Sequence, residues 1–122
     1  MTLPKPSIKP HRRKCSGKRK DEQAHLAAVK ALPCYACASR GINRQAEAHH
    51  VSEFGSVRSD YLTVPLCAEH HRGDDSIHGA KESFITRYGT IRARLAETAQ
   101  LLHAGGNLSN TAMEVILNFL EG

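Results

Sequence analysis

Residues 61–72 read YLTVPLCAEHHR, and this segment combines a strand pattern with two candidate metal ligands. Its first half, from Tyr61 to Leu66, is rich in apolar and β-branched side chains, which favour a strand. A cysteine follows at once, and Cys67 and His70 have the spacing of a two-ligand metal knuckle. The residues after Cys67 are expected to be helical. The segment therefore predicts a strand that leads through a metal ligand into a helix.

A second knuckle with the same internal spacing lies about thirty residues upstream, at Cys34 and Cys37. Three thiolates and one imidazole fill the four positions of tetrahedral Zn²⁺ and leave none for water, which is typical of a structural site. A redox Cys-x-x-Cys pair is the alternative, but it would not explain Cys67 and His70. We therefore predict a structural zinc. Cys15 has no partner at ligand spacing and is expected to be a free thiol.

The elements before the second knuckle are predicted to be one helix and a β-hairpin. A run typical of a helix extends from Asp21 to Leu32 and ends at Pro33. The runs His50–Val51 and Tyr61–Leu66 flank a polar stretch and predict a hairpin with a long loop.

Helices are also predicted after the second knuckle. Gly89 is expected to end one of them and Thr90 to cap the next, which Gly105 ends. Thr111 and Glu114 fit a capping box at the start of a last helix. The helix that begins after Thr90 is expected to bury a stripe formed by Ile91, Leu95, Leu101 and Leu102.

Positive charge is concentrated in the first twenty residues. The whole chain carries +5, yet residues 1–20 hold eight Lys and Arg and no acid, which leaves 9 basic against 12 acidic residues in the remainder. Prolines and like charges predict a flexible arm there. Such an arm suits a polyanion, and a merely solubilising tail is the alternative. The DNA contacts predicted in the arm are Arg12, Arg13, Lys14, Lys18, Arg19 and Lys20.

Length and composition predict a small domain. With 122 residues and 40% hydrophobic content, the core is modest and needs a further stabilising cross-link, which a bound metal would supply. The expected division is the arm at 1–20, a domain at 21–104, and a C-terminal helix at 105–122 that packs on the domain or forms a dimer contact. No apolar run reaches the roughly 20 residues of a membrane span, so we expect no membrane partner and a cytoplasmic location.

Four further histidines lie close to the predicted zinc ligands or hairpin. His49 and His50 begin the first strand, and His71 follows a zinc ligand by one residue, which turns its side chain about 100° away on a helix. With His78 they predict a second site beside the zinc. Chance clustering in a histidine-rich chain is the alternative.

Three motifs of this chain resemble those of the HNH (ββα-metal) endonucleases. They are AHHV at 48–51, VPLC with HH at 64–67 and 70–71, and IHG at 77–79. The chain is similar in particular to small phage and prophage members, including the phage recombination-enhancing nucleases, over roughly residues 21–103. The resemblance implies an α+β fold in which a small ββα-metal core with a structural zinc knuckle is flanked by helices on both sides.

The resemblance also implies roles for the histidines. His49, His71 and His78 would bind a catalytic metal, and His50 would be the general base, so His49, His50 and His71 are the expected catalytic residues. A neutral imidazole can take a proton from water at physiological pH, while the bound ion stabilises the phosphate and the leaving oxygen. An all-imidazole site suits Mn²⁺, Ni²⁺ or Zn²⁺ better than Mg²⁺, and all four remain candidates.

The motif differs from the usual pattern of these enzymes at two points. Where many of them carry an asparagine that helps to hold the base, this chain has Leu62. Asp60 or a main-chain carbonyl could orient His50 instead. His71 and His78 would be about 10.5 Å apart along a continuous helix, which is too far for one ion.

A break in the helix at residues 73–75 would return His78 to the site. Alternatively, Asp74 or Asp75 would be the third ligand in its place.

The expected substrate is DNA, cut with low sequence specificity, in a phage- or prophage-encoded role in a bacterial host. Arg58 and Arg72 are predicted to hold the scissile phosphate, with ordinary solvated arginines as the alternative. A recombination protein or a DNA structure could target the enzyme, which would be a monomer or a homodimer. The competing functions are a non-catalytic zinc-stabilised DNA-binding module and a metal-dependent hydrolase with another substrate.

Overall fold

The computed structural model describes residues 17–51 and 58–122. Within these ranges the chain forms a small α+β arrangement of helices around a two-stranded sheet. No helix in the described ranges combines the length and apolar character that a membrane span requires. The elements in chain order are α1 (Gly17–Ala31), α2 (Tyr35–Ala38), β1 (Glu47–His50), β2 (Thr63–Leu66), α3 (Ala68–Arg72), α4 (Lys81–Tyr88), α5 (Ile91–Ala104) and α6 (Asn110–Glu121).

The two strands form the antiparallel hairpin that the sequence predicted, but His49 and His50 end β1 instead of beginning it, and β2 begins at Thr63. Glu47 lies opposite Leu66, and His50 lies opposite Thr63. All four residues of β2 are buried, because α1, α2 and α5 pack against this strand. The short β2 therefore occupies the centre of the fold, and α3 begins directly after it.

Helix α1 begins at Gly17, four residues before its predicted start at Asp21. The last proline of the predicted arm is Pro10, and lysines and arginines are good helix formers, so the predicted helix start at Asp21 was placed too late. Arg19 and Lys20 lie on the exposed surface of α1. The predicted contacts Arg12, Arg13 and Lys14, the side chain of Lys18, and Cys15 lie outside the described residues.

The buried stripe of α5 differs from the prediction at one position. Thr90 caps the helix as predicted, since its side chain accepts a hydrogen bond from the main-chain N–H of Ala93 at 3.2 Å. Leu101, however, is 49% exposed, because it lies about 100° around the helix from the buried Leu102. The buried positions of α5 are Ile91, Leu95, Thr98 and Leu102.

The start of α6 also differs from the prediction. Its N-cap is Ser109, whose side chain accepts from the main-chain N–H of Ala112 at 3.1 Å, so the expected capping box of Thr111 and Glu114 is wrong. Ser109 Oγ also donates to Asp21 Oδ2 at 2.8 Å, which ties the start of α6 to α1. The helix packs on α5 and adds Ile116 to the core.

The hydrophobic core surrounds the hairpin and includes the sulfur-bearing side chains of both knuckles. Its buried members come from every region between α2 and α6. They include Cys34, Cys37, Val64, Leu66, Cys67, Ile77, Phe84, Tyr88, Leu95 and Ile116.

Candidate metal centres and catalytic cleft

The two predicted knuckles converge in the core to form one cluster of four buried side chains. The Sγ atoms of Cys37 and Cys67 are 3.8 Å apart, and Nδ1 of His70 lies 3.3 to 3.6 Å from the three sulfurs. With Zn–S near 2.3 Å and Zn–N near 2.0–2.1 Å, the edges of a tetrahedral site are about 3.8 Å between sulfurs and about 3.6 Å from sulfur to nitrogen. The cluster of Cys34, Cys37, Cys67 and His70 therefore fits one tetrahedral Zn²⁺.

Short local structures place these four ligands. Cys34 precedes α2 and accepts from the main-chain N–H of Cys37 at 3.5 Å, while Cys67 precedes α3 and His70 follows one helical turn later. The aromatic rings of Phe84 and Tyr88 pack against His70 at 6.0 and 5.5 Å between centroids. The second knuckle is thus a strand end joined to a helix start, as residues 61–72 predicted.

The thiols of this cluster affect one another. Burial, as the largest cause, and the neighbouring Cys34 together raise the pKa of Cys37 to about 12. Burial also acts to raise the pKa of Cys67, but the main-chain N–H of His70 and the side chains of Cys37 and Cys34 outweigh it and hold that pKa below its usual value. Several buried thiolates repel one another, and a bound cation would remove this repulsion.

A second cluster is formed by three imidazoles that come from three different elements. His49 belongs to β1, His71 to α3, and His78 to the segment between α3 and α4. One ligand atom from each lies within 4.8 Å of those of the others, and each pair of ring centroids is 5.0 Å apart. His49 is buried, His71 is half-buried and His78 is exposed, so the cluster opens to solvent on one side.

A compact turn after α3 returns His78 to the cluster. Helix α3 ends at Gly73, Ser76 Oγ donates to the Gly73 carbonyl, and the main-chain N–H of Gly79 donates to Ser76 Oγ at 2.7 Å. A Cβ at Gly79 would lie 2.4 Å from the Gly73 carbonyl oxygen, so the turn requires glycine there. The helix therefore breaks at Gly73, within the stretch 73–75 where the break was predicted.

The two aspartates of this turn do not join the imidazole cluster. Asp75 forms an ion pair with Arg87 of α4, and neither Asp74 nor Asp75 belongs to a group of potential ligands within the described residues. Of the three candidates for the third metal ligand, His78, Asp74 and Asp75, the structure brings His78 to the cluster.

Glu47 supports the imidazole cluster, and the sequence analysis did not identify it. Its Oε1 lies 2.9 Å from Nδ1 of His71, which leaves Nε2 as the free ring nitrogen, and its Oε2 accepts from Arg72 at 2.6 Å. The hydrogen bonds from Arg72 and then His71 lower the pKa of Glu47. The available signal was strand alternation, which puts Glu47 on the same face as His49.

Arg72, one of the predicted phosphate contacts, is thus engaged by a carboxylate. Its side chain remains 62% exposed.

His50 lies beside the imidazole cluster with both ring nitrogens engaged. Its Nε2 is 2.8 Å from Asp60 Oδ1, and Arg58 Nη2 lies 3.3 Å from its Nδ1. A carboxylate accepts a hydrogen only from a protonated nitrogen, so this pair assigns the proton to Nε2 and the lone pair to Nδ1. Asp60, rather than a main-chain carbonyl, therefore orients His50. Leu62, at the position of the missing asparagine, is buried in the core.

His49, His50 and His78 line a cleft of about 140 Å³. Burial, as the largest cause, and the neighbouring His71 and His78 together lower the pKa of His49 to about 4. The imidazole of His49 is consequently neutral at physiological pH and able to bind a metal. The cleft is lined by His49, His50, Val51, Ile77, His78, Lys81 and Ile91. Of these, Lys81 was not identified as a site residue from the sequence.

A family model described as "Recombination enhancement, RecA-dependent nuclease" matches residues 19–103. The match begins in α1, ends in α5, and includes both side-chain clusters and the cleft. It leaves α6 outside. No curated protein matches the chain.

Proposed function

Because this chain belongs to the family of recombination-enhancement, RecA-dependent nucleases, we propose that it is a metal-dependent endonuclease of the HNH type that hydrolyses DNA phosphodiester bonds. The observation that carries this proposal is the contact between His50 and Asp60 at the edge of a cleft that also holds His49 and His78. A general base and three candidate metal ligands thus share one solvent-accessible site. The order β1, β2, α3 around them agrees with a ββα-metal core.

The buried cluster is proposed to hold a structural zinc. Its four ligands leave no open position, and they lie inside the hydrophobic core, where an ion would stabilise the fold rather than meet a substrate. Thiolate ligands require a reducing environment, which agrees with action in the cytoplasm of a bacterial host.

His49, His71 and His78 are proposed to hold the catalytic metal. Their donor set fits Mn²⁺, Ni²⁺ or Zn²⁺ better than Mg²⁺, since neutral imidazole is a ligand of intermediate softness. Glu47 fixes the ring of His71, as carboxylates commonly do for metal-binding histidines. A bound divalent ion would supply electrostatic stabilisation of the phosphate and of the leaving oxygen.

The residues of the chain would perform the proton transfer and the positioning. Nδ1 of His50 takes a proton from a water molecule whose oxygen attacks phosphorus, while Asp60 holds Nε2–H and stabilises the resulting imidazolium. The bond from phosphorus to the 3′ oxygen breaks, and the products are a 5′-phosphate and a 3′-hydroxyl that takes up a proton. Arg58, now beside Nδ1, is positioned to move to the phosphate and expose the base.

Targeting is proposed to come from outside the cleft. The basic residues near the N terminus would add salt-sensitive affinity for DNA without reading sequence. The family's RecA-dependence points to a recombination filament or a recombination intermediate as the feature that localises cleavage.

The test is a nicking assay on supercoiled and single-stranded DNA, with and without RecA filaments, in which Mg²⁺, Mn²⁺, Ni²⁺ and Zn²⁺ are added separately. Wild-type protein is expected to cut with at least one metal and His50→Ala is expected to be inactive. His103→Ala is the matched control, because His103 is an exposed histidine on α5 outside the cleft. Absence of cleavage by folded, zinc-loaded wild type under every condition would instead support a DNA-binding module.

A further inference from the structure

Lys81 lies in the cleft beside the histidines, and no step of the proposed mechanism uses it so far. It is the first residue of α4, three positions after His78, and the turn that returns His78 to the cluster also sets the start of this helix. The main-chain N–H of Ala80 donates to the Ser76 carbonyl at 2.8 Å, which fixes the chain just before Lys81. The position of Lys81 is therefore coupled to that of a proposed metal ligand.

The charge environment of Lys81 is unusual for a lysine so close to a site. Of the described residues that line the cleft, it is the only Lys or Arg, and none of them is a carboxylate. The acids described beside the histidines are engaged by other groups: Asp60 by His50, and Glu47 by His71 and Arg72. Among the described residues, no hydrogen bond or ion pair engages the Lys81 side chain.

The ammonium group also acts on the site electrostatically. Together with burial and the other histidines, its charge contributes to the lowered pKa of His49. The remaining lining side chains besides the histidines are apolar, namely Val51, Ile77 and Ile91. Among the described lining residues, an anion that enters this cleft would therefore meet one cation and no carboxylate.

We infer that Lys81 binds a non-bridging oxygen of the scissile phosphate and stabilises the negative charge that develops there during attack. This inference rests on the proposed nuclease function and adds a catalytic residue to it. The ammonium neither gives nor takes a proton: His50 receives the proton of water, the new bond joins the water oxygen to phosphorus, and the bond to the 3′ oxygen breaks. A cation close to the phosphate accelerates this step because it stabilises the negative charge as that charge develops.

Two measurements on Lys81→Ala, Lys81→Arg and the control Lys30→Ala test the inference. Lys30 is an exposed lysine near the end of α1 and does not line the cleft, so its substitution removes the same charge elsewhere. The first measurement is the salt dependence of duplex-DNA binding by zinc-loaded protein without a second metal. Lys81→Ala is expected to reduce the slope of log K against log salt by about 0.9, which corresponds to one lost phosphate contact. Lys81→Arg and Lys30→Ala are expected to keep the wild-type slope.

The second measurement is the cleavage rate at saturating DNA and metal. Lys81→Ala is expected to lose about 10²- to 10³-fold, as when one preorganised group for transition-state charge is removed, while Lys81→Arg retains most of the rate. A reduced slope with an unchanged saturating rate would place Lys81 on a flanking phosphate and overturn the inference. So would an unchanged slope, or equal losses in Lys81→Ala and Lys30→Ala.

Failure of the proposed function would look different from failure of this inference. A wild-type protein that binds DNA but never cuts it would refute the nuclease, whereas the salt slopes would still decide whether Lys81 meets a phosphate.

Discussion

Replacement of Asp60 tests the part of the proposed mechanism that depends most on the observed geometry. Its carboxylate is 2.8 Å from Nε2 of His50 and would stabilise the imidazolium formed when His50 takes a proton. A hydrogen bond to a charged group contributes about 1.5–3 kcal/mol. Because the side chains of His50 and Asp60 are 20% and 39% exposed, solvent screening favours the lower half of that range. About 1.5–2 kcal/mol corresponds to roughly a 10- to 30-fold loss of kcat in Asp60→Ala.

The assay is a single-turnover cleavage series with wild type, Asp60→Asn and Asp60→Ala. Asp60→Asn keeps a neutral acceptor, for which a hydrogen bond contributes about 0.5–1.5 kcal/mol, so its rate should lie between those of the other two proteins. Asp74→Ala is the matched control, since Asp74 is an exposed carboxylate outside the cluster. All of these proteins should bind Mn²⁺ with the same affinity, because the clustered candidate ligands are three histidines and do not include Asp60.

Wild-type cleavage by Asp60→Ala would refute the idea that Asp60 holds the base. A loss of rate that is matched by an equal loss of Mn²⁺ affinity would also refute it, since the carboxylate would then support the metal site instead.

Three further predictions concern the metals and the core. Glu47→Gln should weaken Mn²⁺ binding by about 10- to 100-fold in calorimetric titration, because the ring of His71 loses its charged partner. Cys37→Ser, or a strong chelator, should abolish the cooperative thermal transition followed by circular dichroism, since the zinc cluster lies inside the core. Burial lowers the pKa of His25, so the folded protein protonates this ring less readily than the unfolded chain, in which a histidine titrates at pH about 6.5. Wild-type stability should therefore fall between pH 6.5 and 5.5 by up to about 1 kcal/mol more than that of His25→Phe in urea denaturation at saturating zinc.

Each of these predictions has an opposing result. Unchanged Mn²⁺ affinity in Glu47→Gln would mean that the carboxylate does not support the ligand. If the chelated protein still unfolded in a full cooperative transition, zinc would not be needed for the stability of the fold. Equal pH dependence in wild type and His25→Phe would show that His25 does not contribute to acid sensitivity.

Several features followed from local sequence because they depend on neighbours a few residues apart. The spacing of Cys34 to Cys37 and of Cys67 to His70 predicted the two knuckles, and Thr90 was correctly predicted to cap a helix. Besides the start of α1, two local predictions were wrong, and both errors are of short range. Thr111 was chosen as a cap where Ser109 acts, and Leu101 was assigned to a stripe that Thr98 occupies.

The orientation of the proposed base could not be predicted in the same way. The residue types allowed either Asp60 or a main-chain carbonyl to hold His50, and only the path of the chain before β2 brings the carboxylate within 2.8 Å. Likewise, His78, Asp74 and Asp75 were all chemically acceptable as the third metal ligand. The hydrogen bonds of Ser76 and Gly79 decide between them by closing the turn.

The sequence predicted all four ligands of the buried cluster, two of the three in the imidazole cluster, and the order of strand, knuckle and helix, because covalent spacing and backbone periodicity restrict groups three or four residues apart. The groups that support those ligands depend on the folded chain: Glu47 reaches His71 across 24 positions, and Lys81 joins the cleft of His49. Such pairs depend on the packing of α3 against β1 and on the turn that leads from α3 into α4. The residue type determines which groups a side chain can bind, and the folded chain determines which of those groups lie close to it.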